Sequence, residues 1–182
     1  MSPGFVRIHI TGASGSGTTT LGAAVAGAMD APHMDVDDFL WLPSEPPFMQ
    51  RRDPQARSAM FQAATRGARR WVLSGSLLRW GDELMPLFDL VVFLHLPQDV
   101  RIARLLTRER QRYGAKIDPG GIQYESNLAF MTFARGYESG ETPVNNLANA
   151  RAWLSRLTCP VIEINGAPSL QESLARVMSA RG

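Results

Sequence analysis

The chain alternates short apolar runs with longer stretches whose apolar residues recur at helical spacing. Val6, Ile8 and Ile10 alternate within VRIHIT and predict a strand over Val6–Thr11. Further short apolar runs predict strands at His33–Val36, Trp71–Ser74, Leu90–Leu94 and Val161–Ile164. Runs of this kind suit a parallel sheet buried on both faces. Leu21, Ala24, Val25, Ala28 and Met29 predict a helix over Thr18–Met29. Asp53-Pro54 reads as an N-cap followed by proline at the first helical position, opening a helix to about Arg69 that carries Met60, Phe61 and Ala64. Another begins near Asp99, with Ile102, Leu105 and Leu106 inward and Gly114 as its C-cap. Apolar stripes follow at Tyr124, Leu128, Met131 and Phe133, at Leu147, Ala150, Trp153, Leu154 and Leu157, and at Leu170, Leu174 and Val177. Alternating strands and helices predict an α/β three-layer sandwich, formed as a single domain over residues 1–182. Its ligand site belongs at the C-terminal ends of the strands.

The turn after the first strand carries the strongest chemical signal. Residues 12–20 read GASGSGTTT: Gly12, Ala13, Ser14, Gly15, Ser16, Gly17, Thr18, Thr19 and Thr20. Gly12, Gly17 and Thr19 fit the phosphate-binding pattern G-x-x-x-x-G-K-[ST], while Thr18 stands where that pattern has lysine. Strand, glycine loop and helix is the context this motif requires. Backbone N–H groups and the helix N-terminus then face an anion, and the Thr19 hydroxyl is placed to hold Mg²⁺. An ordinary glycine turn is the bland alternative.

The second signal is His33-Met34-Asp35-Val36-Asp37-Asp38. Strand alternation puts Asp35 and Asp37 on one face near the loop. One carboxylate there can support a metal-bound water, and the other can orient or deprotonate an acceptor hydroxyl. Asp38 is the alternative if D-D-F opens a helix capped by Asp37. The next stretch, FLWLPSEPPFMQRR, has two readings. Phe39, Trp41 and Phe48 line a slot for a flat or apolar acceptor, with Arg51 and Arg52 binding its anionic group, or the segment packs over the core through its aromatics. His9 and His95 lie in apolar strands and read as core residues, and Cys159 reads as a packing residue.

Composition narrows the partners. A net charge of +2 demands neither nucleic acid nor an anionic membrane. A single cysteine excludes an internal disulfide and a cysteine metal cluster. With no signal-peptide pattern and no apolar run long enough to span a bilayer, the expected location is the cytoplasm. The basic residues are eighteen arginines and one lysine, Lys116, so any cation replacing the missing loop lysine is an arginine or Lys116. Arg101, Arg104, Arg108, Arg110 and Arg112 crowd one helix, with Arg104, Arg108 and Arg112 on a shared face. A solvated helix face is the alternative there, and DNA or RNA binding has only these arginines in its favour. The glycine-rich RYGAKIDPGGIQ that follows has the composition of a movable lid.

With GASGSGTTT, MDVDDF, WVLSGS and RLLTRERQRYG in this order, the chain resembles the P-loop small-molecule kinases of the adenylate kinase-like, shikimate kinase-like and gluconate kinase-like groups. That resemblance implies a five-stranded parallel sheet of order 2-3-1-4-5. It also implies an acceptor-binding segment at about 37–70 and a lid at about 108–140. It implies Asp35 nearer the metal and Asp37 nearer the acceptor, Gly75 at the acceptor, and Arg104, Arg108 and Arg112 on the nucleotide and the transferring phosphoryl group. Asn165-Gly166-Ala167-Pro168 resembles the loop beside adenine. The implied activity is ATP- and Mg²⁺-dependent phosphoryl transfer to a nucleotide or other small-molecule acceptor. Thr18 favours a second reading, a nucleotide-binding module with little or no turnover.

Overall fold

The computed structural model describes residues 6–45 and 47–180. Pro46, inside the expected acceptor segment, lies outside them, as do both ends of the expected domain. In chain order the elements are β1 (Arg7–Gly12), α1 (Thr18–Met29), β2 (His33–Asp35), α2 (Val36–Leu40), α3 (Pro54–Thr65) and β3 (Trp71–Ser74). A 3-10 segment at Asp82–Leu87 precedes β4 (Leu90–His95) and α4 (Gln98–Tyr113). A second 3-10 segment at Gly114–Ile117 leads to α5 (Tyr124–Ser139), α6 (Leu147–Leu154), β5 (Val161–Asn165) and α7 (Leu170–Ser179).

The five strands form a parallel sheet in the order β2-β3-β1-β4-β5. Side-chain alternation divides the core between its faces. Ile8, Ile10, Leu90, Val92 and Leu94 point to one side and pack with Leu21, Val25 and Met29 of α1 and Val177 of α7. Leu73 and Val91 point to the other, with Phe39 of α2, Phe61 of α3 and Trp153 of α6. His9 also points to that second face. It is fully buried, stacked on Phe88, and its Nδ1 is 3.0 Å from the Leu73 carbonyl oxygen. A carbonyl only accepts, so Nδ1 carries the proton, and Nε2 is left without a partner. Burial pushes the His9 pKa down to about 4.

The expected caps are in place. Asp53 accepts from the N–H groups of Gln55 and Ala56, with Pro54 following it, but α3 ends at Thr65 rather than near Arg69. Gly114 closes α4. Several expectations are corrected: on α4 Leu105 is buried as expected, but Leu106, expected inward, is exposed. β5 is an edge strand and mostly exposed, because only β4 flanks it. His95 is part-exposed at the sheet end, 3.6 Å from Glu163, and is not a core residue. On α5 the buried line runs through Met131, Ala134 and Tyr137, while Leu128 and Phe133 are exposed. Met131 and Ala134 pack on Leu105 of α4, which turns the helix face away from the expected stripe. Cys159 is partly buried against the second core cluster, and burial pushes its thiol pKa up. No helix among the described residues is long and apolar enough to cross a membrane.

Candidate active site

The glycine loop joins β1 to α1 at the C-terminal edge of the sheet. Gly17 is the N-cap of α1, so the first-turn N–H groups of Thr18, Thr19 and Thr20 have no intrahelical acceptor. Gly15 has φ +83, and a Cβ there would stand 2.7 Å from the Arg101 carbonyl oxygen and 2.9 Å from Leu105 Cγ. Only glycine permits both that backbone angle and that approach. The loop is therefore pressed against the first two turns of α4. Ala13 and Ser16 are buried, and the Ser16 hydroxyl has no hydrogen-bond partner.

Arg101 fastens this contact. Its side chain is 1% exposed and its Nη1 donates to the Ser14 carbonyl at 2.9 Å. Its Nε and Nη2 pair with the Glu138 carboxylate, and the guanidinium lies over the Tyr137 ring. Arg101 therefore braces the loop from behind. An arginine inside a run of arginines reads as solvent-facing, and its partner lies 37 residues away. No local pattern could have exposed this role.

Asp35 sits where β2 becomes α2. The strand ends one residue earlier than expected, and Asp35 is the N-cap of α2, accepting from Asp37 N–H at 3.0 Å. Asp35 and Asp37 thus come together through a helix cap, not through strand alternation, and Asp37 lies in the first helical turn. The N-cap role weighed for Asp37 belongs to Asp35. The other Asp35 oxygen accepts from the Thr19 hydroxyl at 2.7 Å and from the Ser74 hydroxyl at 3.2 Å. His33 Nε2 is 2.9 Å from that Ser74 hydroxyl. Since Ser74 donates to Asp35, His33 donates to Ser74. Four side chains from β2, β3 and α1 are joined in one line.

Asp37 is exposed at the surface, with Asp35, Asp38, Trp41 and Arg108 around its carboxyl group. Loss of solvent raises its pKa, and the charges of Asp35 and Asp38 add to the rise. A 3.3 Å hydrogen bond from Trp41 Nε1 and the charge of Arg108 pull the other way, leaving a net upward shift. Asp38 is exposed.

The remaining candidates separate into those at the loop and those elsewhere. Arg104 Nη1 lies 3.8 Å from the position of a Cβ on Gly17. Arg108 acts electrostatically on Asp37 but is also paired with Glu109 at 2.8 Å and lies over Phe130. Arg112 is not brought to the loop: it stands two turns beyond Arg104, roughly 12 Å along the helix axis, with its guanidinium over Tyr113. Arg110 pairs with Asp118. Phe39 is 3% exposed and packs edge-on against Phe61, so it belongs to the core rather than to an open slot. Trp41 is half-buried beside Phe48, with Arg51 over its ring at 5.5 Å. Arg52 donates to the carbonyls of Phe39 and Trp41 and clamps the loop on itself. A Cβ on Gly75 would stand 2.7 Å from Val36 Cβ, so the close approach there is to α2. An open groove of about 420 Å³ lies between Pro54, Arg57 and Ser58 and the segment Arg79–Glu83. In it Arg57 stacks on Trp80, and its buried Nε lacks a partner. The Asp53-Pro54 cap marks where this groove begins, but nothing local marks Arg57.

The loop can take a phosphate chain, since it offers the unpaired N–H groups at the start of α1. The Thr19 hydroxyl and Asp35 carboxylate are hard oxygen donors suited to Mg²⁺, which keeps most of its ligands as water and phosphate. Among the described residues no cluster of three or more His, Cys, Asp or Glu offers an all-protein metal cage.

Known proteins resemble the chain in sequence and in fold. No family model matches the chain. It is 40% identical over 172 residues to the uncharacterized protein YqaC of Bacillus subtilis strain 168, spanning 94% of this chain and 95% of that protein. The chain belongs to the YqaC family. Among solved structures, a shikimate kinase from Bacteroides thetaiotaomicron superposes with a TM-score of 0.60 at 19% identity, over 96% of this chain and 97% of that one. A gluconokinase from Sinorhizobium meliloti 1021 gives 0.53 at 22% identity, over 98% and 91%. A putative kinase from Chloroflexus aurantiacus J-10-fl gives 0.56 at 18%, over 98% and 97%. The YqaC-family chain therefore has the P-loop kinase fold.

Proposed function

We propose that the protein is an ATP- and Mg²⁺-dependent phosphotransferase acting on a small-molecule acceptor. The observation that carries this reading is the 2.7 Å contact between Thr19 of the glycine loop and Asp35, with Asp37 held beside it. It brings Thr19, Asp35 and Asp37 together beside the glycine loop, as a phosphate cradle with a metal-binding pair and a second carboxylate would require. When bound, Mg²⁺–ATP supplies the phosphoryl group and offsets its charge. Residues Gly12 to Thr20 hold the phosphates, and Thr19 with Asp35 holds the ion. Asp37 accepts the proton of the acceptor hydroxyl as its oxygen bonds to the γ-phosphorus and the bond to the β–γ bridging oxygen breaks, leaving ADP. A raised pKa suits that task, because it makes the carboxylate a better proton acceptor. The half-buried Trp41 and the exposed Arg51 are the acceptor contacts, and Arg57, lining the groove beside Trp80, is a further contact for an anionic acceptor.

A second reading, a nucleotide-binding module with little turnover, is favoured by Thr18. Titration calorimetry with Mg²⁺–ATP, followed by a radiolabelled γ-phosphate transfer assay across hydroxylated and phosphorylated metabolites, separates the two. Binding with transfer to one acceptor class supports the kinase. Binding without transfer supports the module, and no binding rejects both.

A further inference from the structure

We propose that Arg104, reaching from α4, supplies the positive charge that the loop lacks at Thr18. The inference rests on the phosphate-binding reading above and names the residue that completes it. Thr18 has a hydroxyl but no charge, and its reach is short. The chain's one lysine, Lys116, lies in the 3-10 segment beyond the far end of α4. A replacement must therefore come from an arginine held near the loop with its charge unspent.

The arginines of α4 differ in that respect. Arg101 is buried and committed to Glu138 and the Ser14 carbonyl. Arg108 is paired with Glu109, Arg110 with Asp118, and Arg112 stands over Tyr113. Arg104 has no hydrogen bond, ion pair or ring contact among the described residues, and its Nη1 is 3.8 Å from the Cβ position of Gly17. Its Cα is also well placed. Arg101 and Leu105, three residues before it and one after, press on Gly15, so α4 cannot shift without moving the loop. Because Gly17 has no side chain, nothing screens the guanidinium from the N-terminus of α1.

A planar fork with five donors can span two phosphates, whereas a lysine acts as a point charge. This arrangement supplies the charge without lid closure and from a different element than the loop itself. The competing role for Arg104 is stacking on a base, which needs no phosphate.

Inorganic tripolyphosphate with Mg²⁺ separates the roles, because it has the charge and lacks the base. Titration calorimetry would be run with tripolyphosphate and with a non-hydrolysable ATP analogue. The proteins are wild type, Arg104→Ala, Arg104→Gln, Thr18→Lys and the double variant Thr18→Lys/Arg104→Ala. Arg104 is exposed, so melting temperatures should stay near wild type. Arg104→Ala and Arg104→Gln should each weaken tripolyphosphate by roughly 10- to 100-fold, as expected for a hydrogen bond between charged groups. In the Thr18→Lys background the same loss should shrink to about threefold or less, a non-additive cycle. Unchanged tripolyphosphate affinity in both Arg104 variants overturns the assignment. So does a loss confined to the ATP analogue, which marks base stacking, and so does a strictly additive cycle. If wild type and Thr18→Lys bind neither ligand, the phosphate-binding reading fails and this inference with it.

Discussion

The glycine loop, residues 12–20, and the segment from Val36 to Asp53 meet at Asp35 but are built by opposite means. The loop is backed by β1, whose Ile8 and Ile10 are fully buried, and is locked from behind by Arg101. Its open groups are the unpaired N–H bonds of the first helical turn, while the unpartnered Ser16 hydroxyl is buried behind them. The segment after Asp35 has a five-residue helix, one isolated bridge between Trp41 and Arg51, and an arginine clamp from Arg52. Phe48 and Met49 at its tip are exposed. A phosphate chain is the same in every nucleotide triphosphate, so a rigid cradle serves it. An acceptor varies, and on the proposed reading it would meet a surface held by few contacts, where substitutions change specificity at small structural expense.

The largest expected effect breaks the rigid side. Arg101→Ala leaves the Glu138 carboxylate and the Ser14 carbonyl without their buried partner. It should lower unfolding free energy by about 3–5 kcal/mol in urea denaturation, and nucleotide affinity should fall with it. Next comes acid. The His9 pKa is lowered to about 4 in the folded protein, against an ordinary 6.5. A lowered folded pKa gives stability that is present above 6.5 and lost as pH falls toward 4. The loss approaches about 3 kcal/mol for a shift of this size. His33, also lowered, contributes with the same sign. Replacing His9 with Gln should flatten the pH dependence of denaturation midpoints in that window, and an unchanged slope would move the effect elsewhere.

Asp37→Asn probes the junction of the two regions. Turnover should fall by at least roughly 10²-fold, about 2.7 kcal/mol in barrier, with Mg²⁺–ATP affinity held within about twofold. In the unaltered protein the acid limb of the rate profile should lie above the ordinary carboxylate range, following the raised Asp37 pKa. The smallest effect belongs to the adaptable side. Arg51→Ala removes the contact with Trp41 and should change stability by less than about 1 kcal/mol. It should raise the acceptor KM without altering nucleotide binding, and equal changes in both would show that the two regions are not independent.

The cradle was more legible in the sequence than the acceptor side, for a physical reason. Glycines, a strand and a helix start within fifteen residues form a local device, and local devices leave local patterns. Asp35 and Asp37 were legible as a pair but not as a cap, because D-V-D-D-F fits both a strand end and a helix start. Phe39 carries no sign of whether it faces a ligand or Phe61, since either placement buries an aromatic ring. Arg57 and Arg101 were invisible as single sites, one in a groove between distant segments and the other paired with a residue 37 positions away.

By itself the sequence determined the three-layer class, all five strands to within a residue at each end, the phosphate loop and the absence of a lysine from it. Those follow from side-chain period and backbone freedom, which act over a few residues. Only the tertiary structure decided which arginine is buried and which stands free beside Gly17, that β5 lies at the edge, and that His33, Ser74, Asp35 and Thr19 form one line. Each depends on how far apart in sequence the packed elements are. An arginine's surroundings come from its neighbours in space, and the chain written out in order does not name them.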